Sequence, residues 1–152
     1  MDKRIRNLKT QEDCERFAKN ATDHDRPDLA QEAHKRAVEL KAKDHDAETE
    51  AERECLEAVY AYERILTAKN RRTTRASRTW QMIKRRGILP AVERAVNRPH
   101  ETAGYTALLE MGLEEYAFEA VILRYPDLFS DEAVQRSKER MEQWKNINVI
   151  KY

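Results

Sequence analysis

Glycine and proline are scarce in this chain, and both shortages argue against a fold with many tight turns. The 152 residues include only three glycines and four prolines, whereas charged residues make up 38% of the chain. Alanine, glutamate, lysine, arginine and leucine are abundant, which is typical of long helices joined by short connections. We therefore predict an all-α fold, with seven or eight helices in a single domain that spans residues 1–152.

Cysteines and long apolar runs are equally rare, and their absence excludes further classes of protein. Cys14 and Cys55 each fall on the apolar stripe of a predicted helix, without Cys or His neighbours at ligand spacing. They are interpreted as small buried residues in a reducing compartment, not as a disulfide or a zinc site. No apolar run approaches the roughly 18 residues of a membrane span, and none follows the charged N-terminus. We expect a cytoplasmic protein with no membrane partner.

Capping residues mark the predicted ends of the helices. Thr10, Thr74 and Ser130 are expected to be the N-caps of the first, fourth and eighth helices, because their hydroxyl oxygens can accept free backbone N–H groups. Asp-His-Asp triplets at 23–25 and 44–46 are expected to separate the first three helices, since short polar residues favour caps over helix interiors.

Gly87 is expected to end the fourth helix and Pro90 to lie in the first turn of the fifth. The seventh helix is expected over roughly 114–124.

The second and third helices are predicted to be long and to form an antiparallel pair within residues 1–69. This pair is expected to pack on a compact helical cluster over residues 100–152, with the apolar stretch 105–123 at the centre of the core. Tyr60 lies off the apolar stripe of the third helix, which includes Tyr62. It is therefore the aromatic residue most expected to be exposed.

The most informative feature is the basic segment, residues 70–99. It contains nine lysines or arginines and one acid, Glu93, whereas residues 1–69 hold 14 basic and 17 acidic side chains and residues 100–152 hold 6 and 10. The formal net charge of +1 therefore conceals a local excess of positive charge, which requires a polyanion, an acidic partner or solvation. The candidate site residues are Arg71, Arg72, Arg75, Arg78, Lys84, Arg85, Arg86, Arg94 and Arg98.

We interpret the basic segment first as the phosphate-binding face of a non-enzymatic nucleic-acid-binding module, with DNA favoured over RNA. Arginine suits bidentate contacts to phosphate, and neighbouring threonine and serine hydroxyls add donors. Three alternatives remain open. The arginines pair with glutamates of the second and third helices or are simply solvated, or they dock on an acidic protein surface as part of a subunit, adaptor or inhibitor, or the chain is a structural homodimer along its alanine-rich helices.

Two glycines stand where a helix-turn-helix motif would place its turn. Around Gly112 the apolar spacing fits, but the next helix opens with glutamates 114–115, which phosphates would repel. This pair is interpreted as an αα-corner that builds the core. Around Gly87 the charges fit, but Glu93 and Ile83 occupy positions that favour other residue types. A variant of the motif is the most that this pair predicts.

Signals for catalysis and metal binding are weak. The chain has no Gly-rich phosphate loop, no nucleophile elbow and no His-Glu-x-x-His motif. The adjacent pair at 100–101, His-Glu, resembles part of a nuclease site, but such pairs arise by chance among four histidines and many acids. Adjacent residues on a helix point in different directions, so neither Asp-His-Asp triplet supplies three convergent ligands. We predict no enzymatic activity, no cofactor and no metal.

Overall fold

The computed structural model describes residues 2–45, 47–97 and 102–151, and every regular element in these ranges is helical. This confirms the predicted all-α class. The described ranges contain nine α-helices instead of seven or eight, because a four-residue helix precedes the predicted first one. None of the described helices has both the length and the apolar character needed to cross a membrane. The α-helices are α1 (Lys3–Arg6), α2 (Gln11–Asp23), α3 (Pro27–Lys43), α4 (Glu50–Asn70), α5 (Ser77–Arg86), α6 (Ile88–Asn97), α7 (Thr102–Glu110), α8 (Phe118–Arg124) and α9 (Asp131–Lys151), with single 3-10 turns at Glu114–Tyr116 and Pro126–Leu128.

Two of the three predicted N-caps are confirmed and the third is wrong. The hydroxyl oxygens of Thr10 and Ser130 accept N–H groups from the first turns of α2 and α9, at 3.0 and 3.1 Å. Thr74 caps no helix. Its hydroxyl donates to the carbonyl of Arg72 in the connection that precedes α5, and its N–H donates to the hydroxyl of Thr67 in α4, so it binds groups that precede it in the chain instead of capping α5.

α2 and α3 pack side by side as an antiparallel hairpin. Gln11 Nε2, at the start of α2, donates a 2.8 Å hydrogen bond to the carbonyl of Ala37, near the end of α3. Small residues of both helices bury one another, and Ala18 and Ala33 belong to one apolar cluster between them. The alanine-rich face of α3 is therefore covered within the chain.

α3 and α4 are separate helices that run antiparallel, as predicted. His34 of α3 contacts Arg64 of α4. Two turns later in α3, Lys41 lies over the ring of Tyr60, which is one turn earlier in α4. The order of contacts is reversed, which requires opposite helix directions. Asp44 is the C-cap of α3, so the expected break does fall between the two helices.

α4 is the central helix of the fold, because α3, α6, α7 and α8 all pack against it. Most of the core lies between α4 and the C-terminal helices. Cys14 and Cys55 are free and fully buried, which confirms that they serve as small apolar residues of the interior. Large fully buried residues of the main core are Leu56, Val59, Val92, Val96, Val121 and Ile122.

Two expectations about burial are confirmed only in part or are wrong. The stretch 105–123 does contribute Leu113, Phe118, Val121 and Ile122 to the interior, but Leu108 and Leu109 of α7 are only partly buried. Tyr60, expected to be exposed, is partly buried against Trp80, whereas Tyr62, expected in the core, is 38% exposed. A helix with neighbours on several sides has no single apolar stripe, so a one-face pattern misplaces its residues.

Gly112 ends α7 in a Schellman motif. The N–H of Leu113 donates to the carbonyl of Leu108 at 2.8 Å, and Gly112 has the left-handed φ of +71° that this motif requires. Leu113 is fully buried, so the corner builds core as interpreted. The predicted continuous helix over 114–124 is divided, however, because a 3-10 turn comes first and α8 begins only at Phe118.

Gly112→Ala is expected to lower the free energy of unfolding by about 2 kcal/mol or more. The new methyl carbon would lie 2.6 Å from Cβ of Gln31, and the left-handed backbone itself costs an L-residue about 1–2 kcal/mol. Urea unfolding measures this loss. In a Gln31→Gly background the steric part disappears, so the same substitution should cost less there. An equal cost in both backgrounds would contradict the contact.

Glu57 is one of two carboxyl groups buried in the packing of α4. Glu57 is 5% exposed and has Arg53 as its ion-pair partner at 3.2 Å. Burial raises the pKa of Glu57 to about 7, despite the opposing attraction of Arg53. The folded protein therefore binds this proton more tightly than the unfolded chain, in which the pKa is near 4.5.

Stability is expected to fall as pH rises from about 4.5 through about 7, because over this window the folded state holds more protons at Glu57 than the unfolded state does. Glu57→Gln should flatten this part of the profile and raise the free energy of unfolding at pH 8 by about 1–3 kcal/mol. Denaturant unfolding across this pH range measures the effect. Glu142→Gln, at an exposed position of α9, should leave the profile unchanged. A profile as steep in the Glu57 variant as in the wild type would contradict the assignment.

Candidate functional site

The basic segment forms the α4–α5 connection, α5 and α6. α5 begins after Ala76, which provides no side-chain cap, and it ends at Gly87, whose φ of +100° favours glycine. The three cations at 84–86 occupy the last turn of α5, where the helix dipole stabilises positive charge. α6 follows directly with Pro90 in its first turn, so both predicted roles, for Gly87 and for Pro90, are confirmed.

Glu63 of α4 fixes the start of α5. Its Oε2 accepts the N–H of Ala76 at 2.8 Å and the indole N–H of Trp80 at 2.6 Å. Glu63 is 5% exposed, and the same oxygen lies 3.7 Å from Nε of Arg75. A buried carboxylate thus takes the place of the missing cap and ties α5 to the central helix.

Arg75 is the one predicted site residue in the described ranges that pairs with a carboxylate. In addition to the contact with Glu63, its guanidinium carbon lies 5.5 Å from the centroid of the Trp80 ring, in a cation–π contact. Its side chain is still 66% exposed. Arg75 is therefore oriented by the protein and remains accessible to solvent.

The other described cations of the basic segment are exposed, and none lies within 4 Å of a carboxylate in the described part of the chain. Several carboxylates of α4 are occupied by other cations, as in the pairs Glu57–Arg53 and Glu54–Arg124. Among the described cations of the basic segment, internal pairing, one of the alternatives, thus applies to Arg75 only. The seven exposed cations, called the basic surface below, are Arg71, Arg72, Arg78, Lys84, Arg85, Arg86 and Arg94; Arg98 lies outside the described residues.

Part of the basic surface is brought together by helix geometry. Arg78 and Arg85 are seven residues apart on α5, which places them on one stripe, opposite the inward-facing Ile83. Arg86 and Arg94 line a shallow cavity of ≈ 480 Å³ between α5 and α6. Cations of both helices therefore contribute to this side of the molecule.

The only acid of the basic segment is used as a helix cap. Glu93 Oε1 accepts the N–H of Ser130 at 2.6 Å, at the N-terminus of α9, where the helix dipole stabilises negative charge.

Arg71 and Arg72 lie in the α4–α5 connection and are not part of the α5 stripe. Arg71 has a left-handed φ of +57° and is the C-cap of α4.

α5 and α6 do not form a helix-turn-helix motif. A single residue, Gly87, joins them, whereas that motif requires a turn of three or four residues. Glu93 is directed to α9 through its hydrogen bond with Ser130. The variant motif expected around Gly87 is therefore not formed, and any contact with a nucleic acid has to use the exposed side chains of α5 and α6 in another way.

A cleft of ≈ 740 Å³, which the sequence did not predict, lies beside Arg75. It is called the polar cleft below because most of its lining residues are polar types, although carbon atoms form the larger part of its surface. α2, α3, α4 and the α4–α5 connection form its walls. The α4 wall consists of Tyr60, Glu63, Arg64, Thr67 and Ala68. These residues stand at i, i+3, i+4, i+7 and i+8, so they share one helix face. A polar face on an otherwise buried helix is a pattern that the sequence does contain.

His34, Arg64 and Glu15 form a connected wall of the cleft. Arg64 Nη2 lies 2.5 Å from His34 Nδ1, and Arg64 Nη1 lies 2.6 Å from Glu15 Oε1. A guanidinium group only donates, so His34 Nδ1 accepts and the ring proton lies on Nε2. Burial, and then the charge of Arg64, lower the pKa of His34 to about 4. The imidazole is therefore neutral at neutral pH.

The Asp-His-Asp triplets lie at helix ends, where their residues have other roles. His24 is the C-cap of α2, and the ring of His45 stacks on Trp80 with centroids 5.6 Å apart. Within the described ranges no group of three or more His, Cys, Asp or Glu residues is placed to hold a metal ion. Asp46 and the His-Glu pair at 100–101 lie outside the described residues.

Compared with protein-family models, with curated proteins and with solved structures, the chain shows no significant match. A proposal for its function therefore has to come from its own side chains. Two features of the described residues are relevant: the basic surface on α5, α6 and the connection before them, and the polar cleft that adjoins it at Arg75.

Glu63→Ala is expected to lower the free energy of unfolding by about 2–4 kcal/mol, because it leaves the N–H of Ala76 and the indole N–H of Trp80 without their acceptor. Glu63→Gln retains an acceptor oxygen and should cost less. Urea unfolding measures both losses, and Trp80 fluorescence reports the local environment. Glu142→Ala, at an exposed position, should change stability by less than about 0.5 kcal/mol. Equal effects of the two alanine variants would contradict the anchoring role of Glu63.

Proposed function

We propose that the protein is a non-enzymatic nucleic-acid-binding module, and that the basic surface contacts phosphates. The observation that supports this most strongly is that seven cations within 24 positions of the chain, from Arg71 to Arg94, are exposed and have no carboxylate partner in the described ranges. Exposed positive charge at this density attracts a polyanion, and arginine matches the geometry of phosphate oxygens.

The state of Glu93 adds to this support. It is the only acid among residues 70–97, and its carboxylate is held by the N–H of Ser130 at the start of α9. Glu93 lines the same cavity as Arg86 and Arg94, but the helix N-terminus that it caps offsets part of its negative charge, so it repels an approaching phosphate less than a carboxylate without such a partner. Phosphate contacts alone carry no sequence information, so we expect binding with little sequence preference. DNA is the first candidate for the nucleic acid.

Docking on an acidic protein surface is the alternative that uses the same side chains. Its specific ion pairs would also weaken with salt, but binding would saturate with one partner and would not extend to random polynucleotides. The homodimer alternative has less support, because alanines of α3 that suggested it are buried against α2 within the chain.

Arg72, Arg78 and Arg85 provide the test, because each is an exposed member of the basic surface. Affinity for a random DNA duplex is measured by fluorescence anisotropy across a range of salt concentrations. If about six phosphates are contacted, log affinity should fall with log salt with a slope on the order of −5. Changing all three arginines to glutamate should abolish binding at moderate salt, while circular dichroism remains unchanged.

A matched control is the triple variant Arg16→Glu, Lys19→Glu and Lys138→Glu, which reverses three exposed cations outside the basic segment. Both triple variants carry the same net charge, so a difference between them reports the location of the charges. The control should bind nearly as well as the wild type. Equal loss in both variants, or a salt slope near zero for the wild type, would refute the proposal.

A further inference from the structure

The polar cleft beside Arg75 is a second feature with the dimensions of a ligand site. Its volume of ≈ 740 Å³ lies within the range of pockets that hold small organic ligands. It opens between three helices and the α4–α5 connection. That connection contributes Thr73, Thr74 and Arg75 to its lining. The cleft therefore borders the segment that carries the basic surface.

The chemistry inside the cleft is mixed and nearly balanced in charge. Lys41, Arg64 and Arg75 are matched by Glu15, Asp44 and Glu63, while the imidazole of His34 is neutral. An isolated phosphate would meet three carboxylates here, which disfavours it. An uncharged heterocycle with both donors and acceptors on its edge fits better, since buried polar groups need hydrogen-bond partners of both kinds.

Both kinds of group face the cleft. His34 accepts from Arg64 through Nδ1, which leaves Nε2–H as a donor. Gln11 uses its amide N–H to bind the carbonyl of Ala37, which leaves its carbonyl oxygen as an acceptor. One donor and one acceptor on neighbouring helices are the minimum needed to recognise the edge of a nucleobase.

An aromatic ring and a cation stand together in the same cleft. Lys41 Nζ lies 5.7 Å from the centroid of the Tyr60 ring and has no carboxylate within 4 Å in the described part of the chain. The Tyr60 ring is itself held by Trp80, with centroids 5.2 Å apart. The Lys41 ammonium lies over a face of this ring, so a planar base stacks there only by displacing it. The displaced ammonium stays close enough to neutralise the phosphate attached to that base.

We propose that the cleft binds one unpaired nucleotide, with its base against the Tyr60 ring and its phosphate at the rim of the cleft, near Lys41 and Arg75. If the nucleotide is part of a nucleic-acid strand, this inference rests on the proposed function. It adds that one unpaired nucleotide of the bound strand occupies the cleft. Paired bases are stacked inside a duplex and cannot enter the cleft, so the protein should prefer single-stranded DNA to a duplex of the same length.

The experiment uses the full chain and a short single-stranded DNA with 2-aminopurine at its centre, next to the same DNA as a duplex. Tyr60→Leu removes the aromatic ring, and Ala68→Leu fills the cleft from an exposed position of its lining. Both variants should bind the single strand roughly tenfold more weakly, the loss of about one stacking contact. Their binding to the duplex, and its salt slope, should not change.

Tyr62→Leu is the matched control, because it is the same substitution on the same helix at a residue that does not line the cleft. It should leave the preference for single strands and the 2-aminopurine signal unchanged. Tyr60 contacts Trp80, so Tyr60→Leu is accompanied by an unfolding measurement. Ala68→Leu, at an exposed position, keeps the test valid if the tyrosine variant does not fold.

Adenosine monophosphate and inorganic phosphate separate the possible sources of the nucleotide. If the single strand binds through the basic surface and neither cleft variant weakens it, the cleft inference is overturned while the proposed function stands. If no polynucleotide binds, but adenosine monophosphate binds and Ala68→Leu abolishes this, the proposed function fails and the cleft is a site for a free nucleotide. If neither the single strand nor adenosine monophosphate binds, the cleft inference is overturned. It is also overturned if inorganic phosphate binds as tightly as adenosine monophosphate.

Discussion

The carboxylate of Glu63 is the interaction on which the position of α5 depends. It is buried on the central helix, and its Oε2 accepts one backbone N–H and one indole N–H from the start of α5. α5 is polar on most of its surface, so apolar packing through Ile83 and Trp80 alone provides limited area. Charge-assisted hydrogen bonds in a place shielded from water are stronger than neutral ones, and they fix direction as well as distance. The cations of α5 are consequently held in fixed positions relative to the rest of the protein.

Glutamates of α4 are paired with cations near them, whereas the cations of the basic surface are exposed. This separation follows from which helix faces are buried. α4 is surrounded by other helices, and its glutamates find partners nearby, as in the pairs Glu57–Arg53 and Glu54–Arg124. These contacts use cations from outside the basic segment. The arginines of α5 and α6 lie on exposed faces of these helices, although α6 itself also packs against α4, α8 and α9. The acid of the basic segment, Glu93, is hydrogen-bonded at the N-terminus of α9. A chain with nearly equal numbers of acids and bases can therefore present a surface of one sign.

Much of the fold could be predicted from the sequence, because helix class, helix breaks and several caps are set by local chemistry. The roles of Thr10, Gly87 and Ser130 follow from residues within one turn of each, and all are as predicted. The burial of Tyr60 could not be predicted in this way, because it depends on which faces of α4 its neighbours cover. The cleft was missed for a related reason. His34 and Arg64 are 30 positions apart, and only the antiparallel packing of α3 and α4 brings them to 2.5 Å.

Arg75 connects the basic surface with the cleft, because its contacts with Glu63 and Trp80 leave it able to bind another group. Its contact with Glu63 is a long one, at 3.7 Å, and two thirds of its side chain is exposed, so water weakens the attraction. Glu63 retains the N–H groups of Ala76 and Trp80 if Arg75 moves away, so the anchor of α5 does not depend on this ion pair. A phosphate at the rim of the cleft can therefore recruit Arg75 at a small energetic cost. The same movement would extend the positive charge of the basic surface to the edge of the cleft, which favours a ligand that spans both.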